Sequence, residues 1–517
     1  MQSLHAVARL GLLALALPAV LFGPTACQRT PPDEPPGEHA PPQRSLLRGL
    51  GAEPDTLDPQ LAEDNAALEV LADLYEGLTR ERADGSIGPG AAESWTVSED
   101  GRLYSFRLRD GLRWSDGSPL DAGHFAAGLR RAIEPDTLAP YSELLEPIDS
   151  IEAPEPHVLE VGLKRPVPFL PAVLALPVAA PAHPATQGPP PVNGPYRLTA
   201  REPGAYLELE ANPHYYDSQS VSIEQVRYLV IEDLATELNR YRAGELDLTS
   251  EVPNSQIPWL LEHTPAELKL APFLSVYSYA VNLARLPEVD RRRALAMAID
   301  RERLVQQVTG AGEQAAYGWI PDGIPGYRAA RFRWSEAPRE KLAAEARAAW
   351  QRAGASAPPE KLTLCTDSSA NHRRTAVALA DMWRRTLGVE VEIVEMEWTV
   401  YLATRRTPGN CDLLRLGWSG DFIDPEAFAM LFRSDHPQNT LGYSNPAYDA
   451  ALAATATLGD QDMRMQGLAR AEALLLEDVP VIPVFFRVSK RLVKPYVGGY
   501  AHNPLGHLPT RQLSIDR

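Results

Sequence analysis

From Ser45 onward, apolar residues recur with two different periods, and the dominant period changes along the chain. "RSLLRGLGAEPDTLDPQLAEDNAALEVLADLYEGLTR" reads as a strand, a proline turn and a helix with apolar positions at Leu68, Leu71, Leu74 and Leu78. Leu103, Ser105 and Arg107 then alternate with Tyr104, Phe106 and Leu108 between Asp-Gly turns, which predicts antiparallel strands. Ser118-Pro119 leads into a helix ending near Ile133, and "HVLEVGLKR" alternates again. The hairpin style continues through "VNGPYRLTAREPGAYLELEANPHYY", and "VRYLVIED" reads as a buried strand followed by a helix. From Pro287 the texture is α/β: helices at 291–309, 338–353, 371–387 and 461–477 are separated by strands at 361–366, 389–395 and 411–417. Strands alternating with long helices predict parallel βαβ units. In the tail, "VPVIPVFFRVSKRLVKPYVGGY" alternates once more and is expected to return to an earlier sheet.

Ahead of this patterned region stands a segment of another kind. His5 and Arg9 precede an uncharged apolar run, Leu10 to Phe22, of the length of a signal-peptide core. "GPTAC" follows and resembles a bacterial lipobox, so 1–26 reads as a signal peptide and Cys27 as the lipidated residue that anchors the chain to a bacterial membrane. Pro24 stands where a leucine is usual, and ordinary secretory cleavage stays open. Residues 27–44 are proline-rich and lack apolar periodicity, as befits an extended tether. Cys365 and Cys411 could pair in an oxidising compartment; two buried free thiols is the simpler expectation.

Composition adds exclusions. The chain has 517 residues, enough for several domain-sized units, and 44% are apolar, enough for real cores. Its net charge is −18 with no basic block, which argues against nucleic acid or an anionic membrane surface as partner. No glycine-rich phosphate loop, HExxH or CxxC occurs, and the 11 histidines are scattered. "GWSGD" lacks the spacing of a nucleophile elbow. The expectation is a protein without a catalytic set, metal or cofactor.

Several segments, in order, resemble the periplasmic oligopeptide-binding proteins of solute-binding family 5, the receptors of peptide-importing ABC transporters. They include "EPDTLDP", "GAAESWTVSEDGRLYSFRLRDGLRWSDGSP", "NRYRAGELDLT", "RRALAMAIDR", "RLGWSGDFIDP" and "RLVKPYVGGY". The matching segments extend from about Leu47 to Tyr500, nearly the whole mature chain, and look closest to oligopeptide and murein-tripeptide receptors. The resemblance implies an α/β, two-lobed periplasmic binding protein (class II, cluster C type) whose lobes close over an extended peptide. Its three domains would be 45–80 with 196–285 and 490–517 (domain I), 81–195 (domain II) and 286–489 (domain III). It further implies a monomer that hands oligopeptides to a permease and ATPase complex, or the same fold taking murein peptides or another non-standard ligand.

A buried peptide brings an ammonium and a carboxylate, each costing several kcal/mol without a partner. By resemblance, Asp421 takes the α-ammonium, while Arg415 and His372 hold the carboxylate. Asp424-Pro425 fits the neighbouring helix cap better than Asp421 does. Trp418, Glu63 and Tyr141 match pocket-lining residues, though Trp418 and Tyr141 also suit a core and Glu63 a solvated loop. Departures from the family pattern stand out. No lysine lies between Leu304 and Ile320 to offer a second carboxylate anchor, Ala280 replaces a glutamate, and Ser275 and Ser419 replace a cysteine pair. Domain II also looks shorter after "PYSELL", which leaves the preferred peptide length open.

Overall fold

Ser45–Leu50 pairs in parallel with Gln225–Val230, and the hairpin Tyr196–Glu202/Tyr206–Ala211 completes a four-stranded sheet. The computed structural model describes residues 45–184, 190–354, 361–456 and 458–517. The expected signal peptide, Cys27 and the tether lie outside the described residues. Pro42–Arg517 forms one unit.

A second four-stranded sheet, in the order Ala92–Val97, Leu103–Leu108, Val158–Leu163, Ile148–Glu155, is inserted within the first. Tyr104, Phe106 and Leu108 are buried while Leu103 and Arg107 are exposed, because a pleated strand sends successive side chains to opposite faces. The helix Ala122–Ile133 starts at a capping box between Asp121 and His124 and buries Phe125 and Leu129.

The helix expected after the proline turn is Asn65–Leu74, capped by Asp64, whose carboxylate accepts from the Ala67 amide at 2.8 Å. Its buried face is Ala67, Val70, Leu71 and Leu74; Leu68 is only half-buried and Leu78 lies past the end. The chain turns extended at Tyr75. At Gly77 it passes so close to Leu174 that an added Cβ would sit 2.1 Å from that carbonyl oxygen.

The third sheet has six strands, ordered Gln314–Ala315, Val481–Leu492, Leu268–Val281, Leu413–Ser419, Lys361–Asp367, Glu390–Met396. Lys361–Asp367, the helix Ala370–Leu387 and Glu390–Met396 make the expected parallel βαβ unit, and Leu413–Ser419 is parallel to it. The rest of the sheet is antiparallel. Leu268–Val281 and Val481–Leu492 reach it from distant parts of the chain and not through a single βαβ crossover, so nothing forces them to run the same way. The tail thus returns to an earlier sheet, as its alternation suggests. A single helix over 291–309 does not form. Val289–Ala298 ends at an extended Ile299, and Asp300 caps a new turn, Arg301–Leu304, through the Arg303 amide.

Cys365 and Cys411 form a disulfide, contrary to the expectation of free thiols. Leu364 and Cys365 pair with Leu413 and Leu414 on the adjacent parallel strand, and Cys411 sits just before that strand, which brings the two Cα atoms to 5.8 Å. Closing a loop of 46 residues stabilises a fold by roughly 4 kcal/mol in the chain-entropy description. A Cys365→Ala/Cys411→Ala variant is therefore expected to unfold at lower denaturant concentration, losing about 2–4 kcal/mol; an unchanged midpoint would contradict the link.

Candidate ligand-binding site

Lys361–Asp367 and Leu413–Ser419 run parallel, so their carboxyl ends point the same way. Ligands of open α/β sheets bind outside such ends. Asp367 is the last residue of one strand and Asp421 lies two residues beyond the other. Both open onto a cleft of about 750 Å³. Arg415, His372 and Tyr141 line the same cleft, as do Leu68 and Glu69 of the first helix and His507 of the tail.

One end of this constellation is a buried ion set. Asp367 is 5% and Arg415 7% exposed. Arg415 donates from Nε and Nη2 to Asp367 Oδ2 at 3.1 and 2.6 Å, and His372 Nδ1 stands 2.8 Å from Asp367 Oδ1. Burial pushes the Asp367 carboxyl up, but Arg415 and His372 outweigh it and hold it well below the usual carboxylate range. Burial, reinforced by the Arg415 charge, depresses His372. Neutral His372 donating from Nδ1 to Asp367 presents a lone pair at Nε2. It gains a second donor only on protonation.

Two aromatic rings and a strand hold Arg415 in place. Its guanidinium lies 5.7 and 5.5 Å from the ring centroids of Trp398 and Tyr401, and the Tyr401 hydroxyl donates to the Arg415 carbonyl. Arg415 Nη1 has no hydrogen bond among the described residues and is not sealed away from solvent.

Asp421 is different. It is half-buried, and among the described residues no cation pairs with it; the Tyr141 hydroxyl donates to Oδ1 at 3.4 Å. Burial pushes its carboxyl up to about 6, with Glu143 adding to the rise and His507 and Tyr141 opposing it. The capping work nearby falls to Asp424, which accepts from the Glu426 amide at 2.9 Å and binds Arg464 at 2.7 and 2.8 Å. Asp421 is left free for something else.

Trp418 and Glu63 stand beside the cleft, outside the set of residues that line it. Strand parity explains the tryptophan: Arg415, Gly417 and Ser419 share one face of Leu413–Ser419, and Trp418 falls on the other. It packs against the main core and donates from Nε1 to the Ala427 carbonyl at 2.7 Å. Glu63 is paired with Arg406. That pair ties the segment before the first helix to the helix Trp398–Arg406. Phe169 stacked on Phe422 at 4.8 Å and His436 Nε2 lying 3.2 Å from Glu143 likewise join the inserted region to the six-stranded one. Ser275 and Ser419 face each other in register, their hydroxyls 3.0 Å apart.

Sequence reasoning missed Asp367, His507 and Arg487. The first carried a signal in its position at the end of an apolar strand, and the third in being an arginine inside the run "VIPVFFRV". No cluster of three or more His, Cys, Asp or Glu suited to a metal ion occurs among the described residues.

With this geometry in view, comparison with known proteins is decisive. The model of the bacterial extracellular solute-binding proteins, family 5, matches residues 86–440. The chain belongs to this family. The periplasmic oligopeptide-binding protein OppA of Salmonella typhimurium is 32% identical over 98% of this chain and 99% of its own. The murein tripeptide-binding protein MppA of Escherichia coli superposes with a TM-score of 0.88 at 32% identity, covering 92% of this chain and 99% of that one. Haemophilus influenzae OppA in complex with the peptide RPPGFSPFR gives 0.86 at 30% identity, with 92% and 99% covered. The fold is therefore the two-lobed α/β architecture of family 5. Against the unliganded open form of MppA the TM-score falls to 0.69 at the same 32% identity. The Glu63–Arg406, Phe169–Phe422 and His436–Glu143 contacts accord with lobes drawn together here. No helix of the described residues is long and apolar enough to cross a membrane.

Asp421 binds its proton more tightly in the folded state than a free aspartate does, so the fold loses stability as pH rises from about 4 to above about 6. Asp421→Asn removes that loss. Chemical denaturation is expected to find the variant more stable by about 1–3 kcal/mol at pH 7.5, with the advantage gone below pH 4. An advantage independent of pH would contradict the assignment.

Proposed function

We propose that this chain captures oligopeptides between its lobes in the periplasm and delivers them to an ABC importer. The observation that carries this reading is Asp421, a half-buried carboxylate with no ion-pair partner among the described residues, facing a cleft that arginines also line. A free peptide supplies the missing ammonium and, at its far end, a carboxylate. Each would cost several kcal/mol if buried unpaired. In this reading Asp421 holds the α-ammonium with Tyr141 steadying it, and Arg415 holds the carboxylate, joined by His372 once protonated. The oligopeptide and murein-peptide names of the relatives support the same ligand class. Side-chain indifference follows from a cleft large enough to keep water around the ligand's side chains.

The surrounding arrangement belongs to the same proposal. Cleavage before Cys27 and lipidation of its thiol would tether a monomer to a bacterial membrane through residues 27–44, as the run Leu10–Phe22 and "GPTAC" support. The three larger sheets support a partition into domain I (45–80, 196–285, 490–517), domain II (81–195) and domain III (286–489). The strand Leu268–Val281, however, passes from the first segment set into the sheet of the third. A receptor in this role turns nothing over.

Calorimetry and thermal denaturation with di- to pentapeptides of varied sequence, a murein tripeptide included, test the reading. A ligand at 100 times its Kd raises stability by about 2.7 kcal/mol and with it the Tm. Asp421→Ala is expected to weaken free peptides at least about tenfold and leave N-acetylated ones unchanged. A panel in which no peptide raises the Tm overturns the proposal.

A further inference from the structure

Six arginines line the cleft: Arg80, Arg373, Arg415, Arg487, Arg491 and Arg511. Five form ion pairs with carboxylates, Arg80 with Asp217, Arg373 with Glu395, Arg415 with Asp367, Arg511 with Glu76 and Arg491 with Glu69, which also binds Arg48. Arg487 has no ion pair and no hydrogen bond among the described residues. Its one contact of note is the Phe273 ring, 5.5 Å from the guanidinium carbon. Glu251 feels its charge without pairing with it: Glu251 accepts from the Asn371 side-chain amide at 3.1 Å and lies 3.6 Å from Lys490, whose nearer carboxylate is Glu313 at 2.9 Å.

The fold directs this cation to a particular point. Arg487 sits on Val481–Leu492 opposite a register shift, between Pro272 and Val276, in the neighbouring strand. It extends across that strand to the bare face of Gly417. A Cβ built on Gly417 would lie 2.9 Å from Arg415 Nη1 and 3.9 Å from Arg487 Nη1. Two guanidinium tips from different strands therefore converge where a glycine withholds its side chain, and neither nitrogen has a hydrogen-bond partner among the described residues. Arg415 is paired with Asp367, whereas Arg487 has no direct carboxylate partner among the described residues.

We propose that Arg487 and Arg415, meeting over Gly417, form the clamp for the ligand's carboxylate, with Arg487 supplying the charge that Arg415 has already spent on Asp367. The inference rests on the peptide-binding reading and names the residue that sets its anionic specificity. One carboxylate accepts from both Nη1 donors, a charge-assisted pair of bonds. The lysine missing between Leu304 and Ile320 is thereby replaced by a cation on a different strand. The glycine is part of the device, because any side chain at 417 would push into Arg415.

The test uses the full chain with tri- and tetra-alanine and their C-terminal amides, titrated by calorimetry at low salt. Wild type is expected to bind free acids at least about tenfold more tightly than amides. In Arg487→Met that preference collapses through loss of acid affinity, while the amides bind as before. Arg487→Lys restores part of the preference, and Gly417→Ala reduces it without touching Arg487. Equal weakening of acid and amide in Arg487→Met, or a wild type that does not tell them apart, overturns the clamp while leaving peptide capture intact. A wild type that binds neither form nor any other peptide refutes both. Unchanged circular dichroism and Tm of the unliganded variants distinguish these results from misfolding.

Discussion

The carboxylate of Asp367, buried between Arg415 and His372, is the interaction on which the cleft depends. Without it, a 7%-exposed guanidinium would stand unpaired in the interior, a defect worth about 3–5 kcal/mol when a buried pair is broken. Asp367 also fixes geometry. By taking Nε and Nη2 it leaves Nη1 as the donor that faces Gly417, and Trp398 and Tyr401 bracket the planar group from other sides. The same carboxylate accepts from His372, which leaves the outer nitrogen of a neutral imidazole without a proton. One aspartate at the end of one strand thus decides what Arg415 and His372 can offer a ligand.

Around this anchor, capping and ion pairing fall to residues other than Asp421 and Arg487. Asp424 takes the cap and Arg464, so Asp421 need not. Glu69, Glu76 and Glu395 pair with Arg491, Arg511 and Arg373 of the same cleft, and none of them pairs with Arg487. What remains without an ion-pair partner among the described residues is a carboxylate at Asp421 and a cation at Arg487, one just past a strand and one on a strand. Leaving charges half-buried without partners costs stability, and the raised carboxyl of Asp421 is the visible sign of it. Sites that must bind charge are where such strain is expected.

Much of the architecture was legible in periodicity. The alternation of Leu103–Leu108 specified a hairpin face, and the helical spacing from Ala370 to Leu387 between two apolar strands specified a βαβ unit. Asp421 and Arg415 stood out because ordered motifs marked them and Asp424 offered a better cap. Other features are properties of space, not of local order. The cysteine pair depends on which strands are neighbours, and Arg487 becomes interesting only once every adjacent arginine is seen to be paired. Trp418 was legible in principle, since counting by twos from Arg415 puts it on the opposite face. The break after Ala298 followed from an aspartate whose preference for a cap outweighed the helical run around it.

In the proposed reading the cleft selects a ligand with one free ammonium and one free carboxylate. Mass spectrometry of whatever is released on denaturing protein purified under native conditions tests it most directly. The account predicts oligopeptides with unblocked termini and no common side-chain sequence. Release of a compound lacking a primary ammonium, or of peptides blocked at either end, would contradict it.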